Sequence, residues 1–285
     1  MNLEWATPTP LRYFATLVQS DDGLPLLEAA ASLAQDDHPE LDVQQVLADV
    51  DALAVRLRRR VAPGASVVER LRALGQFFFG ELGFSGNAND YYDRGNSHVH
   101  QVLHTRRGIP ISLAVLWLEL AGGLDLPADG VSFPGHFLVQ AHLPDGRVVI
   151  DPFTGQSLGS ADLRERLAEW MSPPGEPQGA QDWPLSLFLE AATPRQMLAR
   201  MLGNLQHIHR SQRDWVRLVA VQDRLIVLLP QAWDAYRERG LALAELGQHQ
   251  RARADLALYL RQAEHAGDRE QMAQRLRALG DEGSG

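Results

Sequence analysis

Displaced by 36 residues, the last third of the chain falls onto itself: Ala199 on Ala235, Leu205 on Leu241, Gln212 on Gln248 and Arg217 on Arg253. Self-similarity at such a period marks a stacked supersecondary unit whose copies bury their apolar faces against one another. The apolar residues inside each copy recur at helical spacing. Each copy therefore reads as a helical hairpin, 194–209 with 214–228 and then 231–246 with 250–263, and a last helix over 269–279 closes the stack. Two copies are fewer than a free-standing solenoid prefers, so the repeats are expected to lean on the N-terminal part of the chain.

Ahead of the repeats, Pro173, Pro174, Gly175, Pro177 and Gly179 give the chain linker composition. The expected division is a first domain over 1–172, a linker over 173–190 and a repeat domain over 191–285. The front of the chain reads as helices over 11–18, 24–33, 43–57 and 67–79, punctuated by Pro25, Pro39 and Pro63-Gly64. Arg56, Arg58, Arg59 and Arg60 end the third of these, where bases complement the helix dipole. Residues 80–96 are polar and rich in Gly and Asn, a long loop of the kind that borders a site. Gly108-Ile109-Pro110 then opens an apolar helix over 111–120, with proline where its missing N–H costs least, and Gly122-Gly123 ends it. Two runs of strand character, 136–143 and 147–150, flank Pro144-Asp145-Gly146, a hairpin signal, and a helix over 161–170 follows. The fold class is α+β, followed by an all-α region.

Among the 285 residues there is no cysteine, so disulfides, thiolate ligands and a cysteine nucleophile are all excluded. All 27 basic residues are arginine, against 36 acids. A net charge of −9 argues against a nucleic-acid-binding surface. No stretch is long and apolar enough to cross a membrane. Residues 1–20 carry a single base, Arg12, with no basic stretch leading into an apolar run, so a cytoplasmic location is expected. His98, His100 and His104 lie close in sequence, and His100 and His104 share a helical face, but no carboxylate stands at matching spacing; solvated histidines are expected, with no metal and no cofactor.

The order of an apolar helix, Pro134-Gly135-His136-Phe137, a hairpin and Asp151-Pro152-Phe153 resembles the transglutaminase-like (papain-like) superfamily. A tight turn between strands can bring the His136 imidazole beside the Asp151 carboxylate, which would then set the tautomer and stabilise imidazolium. The wider string is Asn96-Ser97, Val102-Leu103, Arg106 through Leu113 and Phe133 through Val139. It resembles the SirB-type bacterial family, which joins a transglutaminase-like core to tetratricopeptide repeats. Trp233, Gly240, Ala254 and Tyr259 fall near the bulky and small positions of that repeat. The resemblance implies a cysteine at the start of the core helix, where helix dipole and backbone N–H groups favour a thiolate. Counted back from Leu126-Pro127, that position is Pro110, and Ser112 lies two residues on, rotated by roughly 200° around the helix. Two functions remain open. One is a non-catalytic protein- or peptide-binding or regulatory protein, its site bordered by Asn96, Arg107, Pro110, Phe133 and Phe137 and its repeats holding a partner. The other is a serine-dependent amidase, peptidase or acyltransferase using Ser112, His136 and Asp151. Oligomeric state is left open.

Overall fold

The computed structural model describes residues 8–171 and 184–281, so most of the expected linker lies outside the described residues. The chain forms two compact units. One comprises residues 25–34 and 40–201. The other comprises residues 1–24, 35–39 and 202–285.

The first unit is built around one helix. The helices α2 (Leu26–Ser32), α3 (Val43–Arg58), α4 (Val67–Gly75), α5 (Val99–Thr105) and α6 (Pro110–Gly122) precede a five-stranded antiparallel sheet, and α7 (Ser160–Met171) follows it. The sheet contains β3 (Ala128–Val131), β4 (Leu138–Leu143), β5 (Gly146–Ile150), β6 (Ser157–Leu158) and β7 (Ala191–Ala192), in the order β6-β5-β4-β3-β7. A separate two-residue parallel pair joins β1 (Ser85–Gly86) to β2 (Arg107–Gly108). The helix α6 is apolar except at Ser112 and Glu119 because it is largely enclosed: α2, α3, α4, α5, β3 and β4 all pack on it. Its residues 110–117 are all buried, and each large apolar side chain there contributes roughly 1.5–3 kcal/mol relative to exposure. Pro110 occupies the first helical position, as its missing N–H allows.

Several elements are absent from the sequence reading, α5, β1, β2, β3, β6 and β7 among them. β3 was not expected, since Asp129 and Gly130 disfavour strands in isolation; pairing with β4 on one side and β7 on the other overrides that preference. The end of the fourth helix does not run on as an α-helix: residues 76–81 widen into a π-helical turn that buries Phe77 and Phe78.

The second unit carries the repeats. The helices α9 (Trp215–Leu228), α10 (Trp233–Glu245), α11 (His249–Gln262) and α12 (Arg269–Asp281) agree with the 36-residue reading to within a few residues. The division between units falls inside α8 (Pro194–Ser211), between Met201 and Leu202. Gly240 of α10 permits a close approach: a Cβ there would come within 3.0 Å of Leu256 and 3.2 Å of Asp255 on α11. The expected first domain began at residue 1, yet residues 1–24 and 35–39 group with the repeats. There α1 (Pro10–Leu17) packs on α9, and the fully buried Arg224 lies over the Phe14 ring at 5.1 Å while bonding both oxygens of Asp36 at 2.6 and 2.9 Å. A buried guanidinium needs a carboxylate, and the nearest one is supplied from early in the chain.

Candidate functional site

Phe133-Pro134-Gly135-His136 forms a tight turn, closed by the His136 N–H donating to the Phe133 carbonyl at 3.0 Å. Proline at its second position and Gly135 at φ +69° are what a type II turn requires. Gly135 is also crowded: a Cβ would come within 2.7 Å of the Trp170 ring, which lies over the turn from α7. The turn delivers His136 to the start of β4. The β4–β5 ladder, with Val139 opposite Ile150, ends beside it, so the next residue after β5, Asp151, meets the imidazole.

Asp151 is 1% exposed and fully engaged. One oxygen accepts from His136 Nε2 at 2.8 Å and from the Phe153 N–H at 2.9 Å; the other accepts from Arg166 Nη2 of α7 at 3.0 Å. Burial pushes its pKa up. The bond to His136, that residue's charge, the Phe153 N–H and the Arg166 cation outweigh this and hold the carboxyl below the usual carboxylate range. A carboxylate at Nε2 places the proton on that nitrogen of neutral His136, leaving Nδ1 as the free base. The His136 side chain is 23% exposed, so the imidazole can meet a molecule from solution. Phe153 stands edge-on to His136 with centroids 6.4 Å apart, and the Tyr91 ring lies 6.1 Å from that of Phe153.

Ser112 stands elsewhere in the chemistry. It is 0% exposed, and its hydroxyl donates to the Asn96 carbonyl at 2.6 Å, with the Ile109 carbonyl at 3.0 Å, while accepting the Ile109 N–H at 3.2 Å. That last bond satisfies an N–H at the start of α6, the work of a capping side chain. The Asn96 side chain accepts from Asn87 at 3.1 Å and donates to the Asp90 carbonyl at 2.6 Å, folding the loop before α5. Arg107 reaches along the surface to the Gly83 carbonyl at 2.8 Å. Pro110, Phe133 and Phe137 are buried and present no surface to a ligand. The structure therefore brings His136 and Asp151 together, and places Ser112, Asn96, Pro110, Phe133 and Phe137 in the frame that supports them. Sequence reasoning missed Arg166 and Trp170. Both lie on an amphipathic helix with charges on both sides of Leu163 and Leu167, where no residue pattern singles out the arginine that faces Asp151. Among the described residues, no group of three or more His, Asp or Glu is placed to hold a metal ion, and no helix is long and apolar enough to cross a membrane.

A helix-and-sheet unit with a histidine–aspartate pair at the end of a β-hairpin, followed by helical repeats, defines a transglutaminase-like protein with a tetratricopeptide region. Residues 44–203 match the Transglutaminase-like superfamily, and residues 205–277 match the tetratricopeptide repeat. A UPF0162 protein of Xylella fastidiosa is 39% identical over 241 residues, 84% of each chain. A UPF0162 protein of Pseudomonas aeruginosa is 30% identical over 254 residues, 89% of this chain and 90% of the other. The UPF0162 protein YchA of Escherichia coli K12 is 28% identical over 230 residues, 79% and 81%. The chain belongs to the UPF0162 family. Among solved structures, a crystal structure of menin covers 93% of this chain and 72% of its own at 11% identity and a TM-score of 0.38, too loose a likeness to carry an argument.

Proposed function

We propose that this protein binds rather than cuts: its transglutaminase-like unit keeps an imidazole–carboxylate pair without a nucleophile, and its helical repeats hold a protein or peptide partner. One observation carries the reading. The chain has no cysteine, and the hydroxyl of Ser112, the serine nearest the start of the core helix, is buried and bonded to the Asn96 carbonyl at 2.6 Å. A nucleophilic serine needs a base at hydrogen-bond distance and an open approach for its acyl group. Ser112 spends its proton on a backbone carbonyl and has no exposed surface. The SirB-type resemblance of the motifs and a cytoplasmic location belong to the same reading.

The His136–Asp151 geometry keeps the alternative concrete: a serine-dependent amidase, peptidase or acyltransferase would use His136 as its base. Crosslinking of the full-length protein in its own cells, with mass spectrometry of the products, tests the first reading. A defined partner crosslinked to residues of α9–α12 is expected. Incubation of the purified protein with amide, ester and thioester substrates, beside Ser112→Ala and His136→Ala, tests the second. Turnover that disappears with His136→Ala overturns the binding reading.

A further inference from the structure

A cavity lies in the first unit, between α3 and α5. Asp49, Ala52, Leu53 and Arg56 line it at one-face spacing along α3, and His100, Leu103 and His104 line it at the same spacing along α5. Arg106, the residue that ends α5, completes the wall. The cavity holds about 350 Å³.

Arg106 is unusual in three ways. Its backbone is left-handed, at φ 60° and ψ 19°, a helix-ending position that glycine or asparagine fills most easily. Its guanidinium lies 4.7 Å over the Phe84 ring, and its Nη1 is buried with no hydrogen-bond partner. Burial, and then the cation of Arg56, push the Arg106 pKa down. Several buried or half-buried guanidiniums of this acidic chain hold carboxylates, as Arg166, Arg224, Arg237 and Arg239 do. The acid on the cavity wall is Asp49, one oxygen of which accepts from Gln45 at 2.9 Å; Glu81, which the Arg56 cation also influences, is held through both oxygens by Arg60 at 3.1 and 2.5 Å. A buried guanidinium nitrogen without a partner is costly, and the Arg106 Nη1 is such an atom.

We propose that the cavity walled by Arg56 and Arg106 binds the phosphate group of a small molecule, its two guanidiniums outnumbering the one carboxylate, Asp49, on the same wall. Guanidinium forks suit phosphate oxygens, and the His104 ring lines the same cavity. The apolar floor of Ala52, Leu53 and Leu103, and a volume above that of a bare phosphate, leave room for a short organic stem. This inference is independent of the binding role assigned to the His136 site.

Isothermal titration of the full-length protein at constant ionic strength tests it, with inorganic phosphate, glycerol 3-phosphate, citrate and uncharged glycerol as probes. Saturable binding of glycerol 3-phosphate is expected, at a Kd below ~1 mM, weakened at least ~10-fold in Arg106→Gln and in Arg56→Gln. Arg56 is exposed on its helix, so its variant keeps the fold if Arg106→Gln does not. Inorganic phosphate binding as tightly as the ester would assign the site to phosphate itself and still support the claim. No saturation by either phosphate probe up to ~10 mM, binding unchanged in Arg56→Gln, or preference for citrate would each overturn it.

Discussion

The two units use the same residue types for opposite ends. In the repeat unit, charges close on one another. Arg239 bonds Asp255 through two nitrogens at 2.7 and 2.8 Å and Asp223 through a third at 2.6 Å. Arg237 bridges Glu238 and Asp268, and Asp268 also accepts from Tyr259 at 2.6 Å. These acids and cations fix one helix against the next, and their directional bonds set the register that apolar contacts alone leave loose. In the transglutaminase-like unit, Asp151 is as fully bonded, yet the group it holds is not: His136 keeps a free nitrogen and partial exposure. The contrast teaches that a buried acid is structural or functional according to whether its partner has bonding capacity to spare.

That comparison can be broken at several points. The largest effect should come from Arg224→Ala in the repeat unit. The side chain is 1% exposed and holds Asp36, so removing it strands a carboxylate and opens a void beside Phe14. A loss of about 3–5 kcal/mol in denaturant unfolding is expected; a loss below about 1 kcal/mol would show that the closed pairs do not bind the N-terminal segment to the repeats.

A smaller loss, about 1–3 kcal/mol, is expected from Asp151→Asn, which keeps the shape and discards the charge. Because the folded carboxyl sits below its unfolded value, its contribution is complete above about pH 5 and is lost as pH falls through the folded value, under about pH 4. Wild type should therefore lose stability over that acid range more steeply than Asp151→Asn, as read by thermal melts at several pH values. Parallel pH profiles would remove Asp151 from the account.

Gly135→Ala should cost about 1 kcal/mol or more, through its positive φ and the Trp170 ring 2.7 Å from the new Cβ. A chemical shift change at His136 in the variant would tie the turn to the imidazole's position, whereas an unmoved signal would make the turn mere support. The smallest effect is expected at the Arg275–Glu245 pair, 3.0 Å apart and nearly half exposed on both sides. Arg275→Ala should change unfolding free energy by less than about 0.5 kcal/mol, and that little should vanish in high salt.

Much of this architecture is legible from residue order. The five helices of the last third follow from a 36-residue period, and the β4–β5 hairpin from Pro144-Asp145-Gly146 between alternating runs. His136 and Asp151 could be paired in advance because one tight turn separates their strands. Arg166 could not, since it reaches Asp151 from a helix whose docking depends on Leu163 and Leu167 entering a shared core. Nor could the burial of Ser112: a serine near a helix start reads equally as a cap or a nucleophile until its neighbours are placed.

Local pattern alone therefore determined most of the helices, the hairpin, the repeat and the absence of any thiol, because each depends on residue identity, backbone preference and side-chain spacing over a few residues. Tertiary structure decided what pattern leaves open: that the front of the chain divides between two units, that Ser112 gives its proton to Asn96, and that two arginines 50 positions apart line one cavity. Each of those depends on which charges and hydroxyls meet after distant segments pack, and a side chain's partners are set by distance in space.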